Sequence, residues 1–244
     1  MPRGRGSLFV EYARVVVMQN LRSLVLMSKT FGLSPVKTRL NKPGYEELGT
    51  DFYQLSLQAT LSVLLEYQNS VDPNVKLVIA IAEEDGLKEW RALGPRFEKV
   101  WQGPGTLGTK ISTVYNSQVQ NSGGTLLLGM DSPQISILEL ISAGKLLEKN
   151  DCVVGPCFDG GFYIFAGKKT IEPLIWESVP WSSRLTKSCL CSRLSEHHYS
   201  IAELCDKSDV DVFEDLQRLR EGLSALRFPT LEQKKLESWA ISVT

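Results

Sequence analysis

Between Ser28 and Lys42 the chain places four cations, Lys29, Lys37, Arg39 and Lys42, and no acid. Elsewhere its charges nearly cancel, with 27 Lys and Arg against 28 Asp and Glu overall. Lys37 and Arg39 stand two residues apart, so both can reach one phosphate chain, the guanidinium through its bidentate fork and the ammonium as a point charge. The stretch "SKTFGLSPVKTRL" is not a Walker loop: four residues follow Gly32 and then Lys37 comes directly, without the second glycine of G-x-x-x-x-G-K-[ST]. It leads from an apolar run towards a helix near Leu48, whose amides and dipole would favour an anion. A solvated basic loop is the plainer alternative.

Three acidic stretches lie downstream. In "TLLLGMDSPQ", Asp131 ends a buried-type apolar run, where a carboxylate is costly unless it binds a cation or caps a helix. The next helix begins near Ser136, too far for a simple cap, so Asp131 suits a metal bridging nucleotide phosphates. In "VVGPCFDGGFY", Asp159 precedes Gly160 and Gly161, which let backbone approach a ligand or simply form a turn. In "LCDKSDVDVFEDLQRL", Asp206, Asp209 and Asp211 precede a helix whose first turn carries Glu214 and Asp215; one of the three is a candidate second metal carboxylate. Gly103, Gly105 and Gly108 form a weaker feature, a glycine-rich loop in "WQGPGTLGTKI".

The elements that must position these groups are legible as alternation. Apolar β-type runs at Ser23–Met27, Val75–Ala82, Phe97–Gln102, Thr125–Met130 and Asp151–Pro156 alternate with helical patterns near 48–67, 86–93, 108–121, 136–149 and 212–226. This predicts an α/β fold with a mostly parallel sheet, in which ligands bind beyond the carboxyl ends of the strands. "GFYIFAG" (Gly161–Gly167) reads as a strand antiparallel to its neighbours, and "LEQKKLESWAISV" as a terminal helix lying on the sheet. Residues 1–22, with Arg3, Arg5, Arg14 and Arg22 against Glu11, read as an extension ahead of one domain spanning 23–244.

Composition narrows the class. A chain of 244 residues with 43% apolar content and net charge −1 has no global attraction to nucleic acid or anionic membrane, so any anion site must be local. Five cysteines without C-x-x-C spacing argue against a disulfide framework and a zinc site, and point to a reducing, cytoplasmic setting. No apolar run approaches the ~18 residues of a membrane span. His197 and His198 are adjacent and read as helix-end or surface residues; Trp90, Trp101, Trp176 and Trp239 read as core.

Taken in order, the motifs resemble the glycosyltransferase-A-like (GT-A) family that includes 2-phospholactate guanylyltransferase, one branch of which is described as arsenosugar-biosynthesis glycosyltransferases. That branch runs K-x-P-x-x-G-x-V-K-T-R-L, Q-x-G-D-L-G-x-R-M, G-x-D-S-P, G-P-x-x-D-G-G-Y, W-S-T and D-x-D-T-x-E-D-L, with counterparts here from Lys29 to Leu216. Departures are Phe31 for the loop proline, Ser34 for its glycine, Thr106 for an acid, Lys110 for arginine, Phe162 for tyrosine and Val212 for threonine.

The resemblance implies a three-layer α/β/α sandwich of the nucleotide-diphospho-sugar transferase type. It implies phosphate or nucleotide contacts from Lys29, Lys37, Arg39, Gly105 and Gly108, with Lys37 and Arg39 catalytic, and Mg2+ or Mn2+ on Asp131, Asp209 and Asp211. Asp159 becomes the candidate base, and Gly160, Gly161, Trp181 and Ser182 the substrate wall. The implied reaction is metal-dependent glycosyl transfer from a nucleotide-diphospho-sugar to a small-molecule acceptor, with a homodimer compatible. Nucleotidyl transfer to a phosphorylated acceptor is the first alternative; a nucleotide-binding protein whose catalysis was lost with the acid at Thr106 is the second.

Overall fold

The computed structural model describes residues 20–244. The proposed extension therefore lies outside the described residues except for 20–22, of which Leu21 is buried in the core, Asn20 donates its amide to the Gly144 carbonyl at 3.2 Å and Arg22 is exposed.

Seven strands form one sheet in the order β3-β2-β1-β4-β6-β5-β7. They are β1 (Ser23–Ser28), β2 (Lys76–Ile81), β3 (Phe97–Trp101), β4 (Thr125–Leu128), β5 (Cys152–Pro156), β6 (Phe162–Gly167) and β7 (Ile201–Glu203). All neighbours pair parallel except β6, which runs antiparallel to both β4 and β5, as its sequence suggested. The helices are α1 (Leu48–Ser70), α2 (Leu107–Ser122), α3 (Ile137–Lys149), α4 (Pro173–Glu177), α5 (Thr186–Glu196), α6 (Asp215–Ser224) and α7 (Leu231–Val243). The expected helix near 86–93 is a 3-10 helix, Asp85–Leu93, and a second one covers Thr38–Leu40.

Strands buried on both faces need apolar residues at nearly every position, and β1 and β4 supply them. Leu24, Leu26, Leu77, Ile79, Leu126 and Leu128 face the layer of α1 and α3; Val25, Val78, Ala80, Leu127, Val154 and Phe165 face the layer of α2, α4 and α5. Burying each such side chain contributes about 1.5–3 kcal/mol against the entropy of ordering it. The architecture is a three-layer α/β/α sandwich with a mostly parallel sheet.

Two expectations need correction. The terminal helix α7 does not lie on the sheet: Leu236 and Ala240 pack with Phe52, Leu219 and Leu223, so α7 covers the outer side of α1 and α6. Its apolar stripe could not tell a helical neighbour from a sheet. Trp101 is not core; it ends the edge strand β3 and is 36% exposed, whereas Trp90 and Trp176 are buried. His197 and His198 follow α5 and are exposed.

Candidate active site

β2 departs from one side of β1 and β4 lies on the other, which opens a crevice beyond their carboxyl ends. A cleft of about 790 Å³ occupies it. Its lining draws on the residues after β1 (Lys29, Lys37), the start of α2 (Gly105, Lys110), the residues after β4 (Asp131) and the turn before β6 (Asp159, Gly161). Because β6 is antiparallel, its beginning rather than its end reaches the cleft.

The basic loop is held from below. Glu83 accepts from the Thr30 amide at 2.6 Å, Trp90 donates its indole N–H to Thr30 Oγ1 at 3.0 Å, and the Tyr53 hydroxyl accepts from the Lys29 amide at 2.8 Å. Burial pushes the Glu83 pKa up, but hydrogen bonds from Ser34 and Thr30 outweigh it and hold the carboxyl below its ordinary value. Lys37 itself takes a left-handed backbone conformation, φ 45°, unusual for a side chain that is neither Gly, Asn nor Asp.

That conformation sends the Lys37 ammonium into the acids. Its Nζ lies 2.8 Å from Asp131 Oδ1 and 2.7 Å from Asp211 Oδ1, with its side chain only 12% exposed. Burial acts to lower its pKa; the Asp131 and Asp211 carboxylates more than offset this and raise it. Arg39 stays at the rim, 71% exposed and 3.8 Å from Asp211 Oδ2. Lys29 is exposed and reaches only the Pro35 carbonyl, at 3.3 Å. Lys42 leaves the group altogether, its Nζ lying 3.2 Å from the Phe213 ring centroid.

Two loops far apart in sequence are stitched together to make the acidic wall. The Val210 amide donates to the Asp131 carbonyl at 2.9 Å, Ser132 Oγ donates to the Ser208 carbonyl at 3.2 Å, and buried Gln134 donates to that same carbonyl. From the other side, buried Gln233 donates to the carbonyls of Pro133 and Ile135 at 2.9 and 2.7 Å. Asp209 lies beside Asp159 and Cys157, their ligand atoms all within 4.8 Å of one another. Burial first, then the charges of Asp159, Asp211 and Asp131, pushes the Asp209 carboxyl up to about 6. Burial likewise pushes the Cys157 thiol up to about 12, so it faces the cleft as a neutral thiol.

The expected metal trio is thus divided. Asp131 and Asp211 share the Lys37 ammonium, while Asp209 sits with Asp159; Asp206 is exposed and outside the cleft. The donor chemistry fits a hard divalent cation: the Cys157 thiol is neutral, which leaves carboxylate oxygens as the charged donors, and the charged groups that act on Asp209 are other carboxylates. Gly105 lines the cleft, but Gly108 does not: a Cβ there would lie 2.5 Å from Trp181 Nε1 and 2.6 Å from the Trp176 carbonyl. Its role is to let Trp181, stacked on Trp176 and edge-on to Phe162, form the wall. Ser182 also lines the cleft, and Gly160 holds the turn at φ 93° against the Arg184 carbonyl. Thr106, where the family pattern has an acid, caps α2 by accepting from the Thr109 amide.

The amino end of α1 is not an anion site here. It does not line the cleft, and its Gly49 amide is already taken by Asn41 Oδ1 at 2.8 Å. Sequence reasoning also missed Cys157, Tyr53 and Gln102 as cleft residues. Gln102, buried, donates to the Ser28 and Ala80 carbonyls at the strand ends. A glutamine directly after a strand carries no distinguishing signal.

The fold is that of nucleotide-diphospho-sugar transferases. A proposed nucleotide-diphospho-sugar transferase from Desulfovibrio desulfuricans G20 superposes with a TM-score of 0.75 at 21% identity, over 91% of this chain and 98% of that one. 4-Diphosphocytidyl-2C-methyl-D-erythritol synthase from Anaerococcus prevotii aligns with a TM-score of 0.51 at 13% identity, over 90% of this chain and 98% of that one. CMP:2-keto-3-deoxy-manno-octonic acid synthetase, in complex with CTP, aligns with a TM-score of 0.51 at 12% identity, over 83% and 98%. In sequence, the model of the family described as "Uncharacterized protein conserved in bacteria (DUF2064)" matches residues 64–183. That span holds Asp131, Asp159 and Trp181. No curated protein sequence matches significantly.

Proposed function

We propose that the protein is a metal-dependent transferase that uses a nucleotide-activated donor and carries out glycosyl transfer from a nucleotide-diphospho-sugar. The observation that carries this reading is the meeting of Lys37 with Asp131 and Asp211 at the crevice between β1 and β4, beside Asp159. Opposite charges are concentrated where phosphates and a cation would have to sit together.

In this reading Lys29, Lys37, Arg39 and Lys110 offset the charge that grows on the departing diphosphate, an effect strengthened by the low dielectric of a partly closed cleft. Asp131, Asp209 and Asp211 would hold Mg2+ or Mn2+, which supplies charge neutralisation of the phosphates. The acceptor hydroxyl forms its new bond to the sugar's anomeric carbon as the bond to the diphosphate breaks, and Asp159 takes the hydroxyl proton. Asp159 Oδ1 accepts from the Gly161 amide at 2.7 Å, which fixes the carboxylate and leaves Oδ2 for that proton. Trp181 and Phe162 shield the reacting atoms from water, and Gly160, Gly161 and Ser182 border the acceptor.

The four cations that line the cleft, Lys29, Lys37, Arg39 and Lys110, favour a second reading. In nucleotidyl transfer an acceptor phosphate attacks directly, and the cations suffice without a base. Incubation with Mg2+ and panels of nucleotide sugars plus alcohols, or nucleoside triphosphates plus phosphorylated acceptors, separates the two. Release of nucleoside diphosphate supports the first and pyrophosphate the second. No turnover and no thermal shift with any nucleotide would overturn both.

A further inference from the structure

The Lys37 ammonium touches one oxygen of each of two carboxylates that come from loops 80 positions apart (131 and 211), and it is the most buried charged group of the cleft's ion pairs, at 12% exposure. Those two oxygens converge on a single point, and a cation already stands there. A divalent ion arriving alone at Asp131 and Asp211 must either displace the ammonium, for which the cleft's remaining carboxylates are Asp159 and Asp209, or bind beside it against like-charge repulsion. An ion that arrives with a diphosphate brings the ammonium a new anionic partner. The cost of vacating Asp131 and Asp211 is then offset in the same step.

We infer that Lys37 is an exchangeable internal counter-ion that keeps free divalent metal off Asp131 and Asp211 until phosphate enters the cleft, and so enforces joint binding of metal and nucleotide. This rests on the transferase reading for the identity of the phosphate, but not for the exchange itself. The backbone supports such a role. At φ 45° Lys37 is held in a left-handed conformation directly before the Thr38–Leu40 turn, with its amide neighbours fixed by buried Val36 and Leu40. The side chain therefore pivots from a fixed root, and only its methylene stem must turn for the ammonium to leave the carboxylates for a phosphate.

The test is Mn2+ binding, read by the loss of the free-ion electron paramagnetic resonance signal and by calorimetry, on the full chain. Mn2+ is titrated alone, with inorganic pyrophosphate, and with each of ADP, GDP, CDP and UDP. For the wild type the expected result is weak binding of Mn2+ alone and at least tenfold tighter binding with pyrophosphate or a diphosphate nucleotide. K37M should bind Mn2+ alone at least tenfold more tightly than wild type and lose most of the diphosphate enhancement. K37Q, which can still hydrogen-bond to either carboxylate, is the second variant should K37M fold poorly, and K37R, which keeps a cation, should stay weak.

Equal affinity of wild type and K37M or K37Q for Mn2+ alone would overturn the exchange while leaving the transferase reading intact. Tighter binding by K37M or K37Q with no enhancement by any nucleotide in the wild type would leave the counter-ion role standing and sink the nucleotide reading. Absence of Mn2+ binding in every variant would overturn both.

Discussion

The amide of Val210 donates to the carbonyl of Asp131 at 2.9 Å, and this contact sets Asp211 against Lys37. The acidic wall is therefore a product of loop pairing rather than of either loop alone. Gln134 is one of two buried side chains, with Ser132, that reinforce the pairing. Replacing it with alanine removes a buried hydrogen bond and leaves the Ser208 carbonyl with Ser132 as its remaining side-chain donor. Gln134→Ala is expected to lower stability by about 1–3 kcal/mol, measurable by urea denaturation, and to weaken metal-dependent nucleotide binding with it.

Asp131→Asn should abolish magnesium-dependent nucleotide binding while leaving the fold intact, because Lys37 keeps Asp211 as a partner. Calorimetric titration of nucleotide with and without Mg2+ checks this. Affinity equal to wild type in the presence of Mg2+ would remove Asp131 from the metal set.

Gly108→Ala places a methyl group 2.5 Å from Trp181 Nε1 and 2.6 Å from the Trp176 carbonyl, closer than atoms tolerate. The hydrogen bond from Trp181 to Trp176, 2.9 Å, must break or α2 must shift. The expected loss is about 1–3 kcal/mol of stability, accompanied by a change in tryptophan fluorescence and, in the active protein, a raised KM for the acceptor. An unchanged spectrum would mean that Trp181 is not held by this contact.

Asp209 gives a pH signature. Its carboxyl is raised to about 6 in the folded chain, by burial first and by its acidic neighbours next, above the usual ~3.9 of an unfolded aspartate. A raised carboxyl pKa contributes stability that is fully present below the unfolded value and lost as pH rises through the folded one, so the metal-free protein should lose stability between pH ~4 and ~6 on this account. Asp209→Asn should then raise Tm at pH 7.5 and leave it nearly unchanged at pH 4. Equal effects at both values would assign the shift in Tm to packing.

How much of this was legible in the sequence follows from what is local. The strands β1, β2, β4 and β5 declare themselves because burial on both faces demands unbroken apolar runs, and β6 because a glycine turn precedes it. The sheet then places Asp131 and Asp159 beyond the strand ends almost by necessity. What pairs them does not show. The bond between Lys37 and Asp211 spans 174 positions, and nothing in "VKTRL" distinguishes a lysine bound for a phosphate from one bound for carboxylates. The same limit explains Gly108, whose glycine is set by a tryptophan 73 positions away rather than by a nucleotide (108 to 181). Trp101 departs from its expected core position because an edge strand and a central strand share one residue pattern until their order in the sheet is known.

Gln233 gives the loop after β4 two of its hydrogen-bond donors, to the carbonyls of Pro133 and Ile135, from about 100 positions downstream. During synthesis the sheet strands and both cleft loops emerge from the ribosome before that glutamine does. The loop that carries Asp131 therefore lacks two of its hydrogen-bond donors until the last helix of the chain has been made.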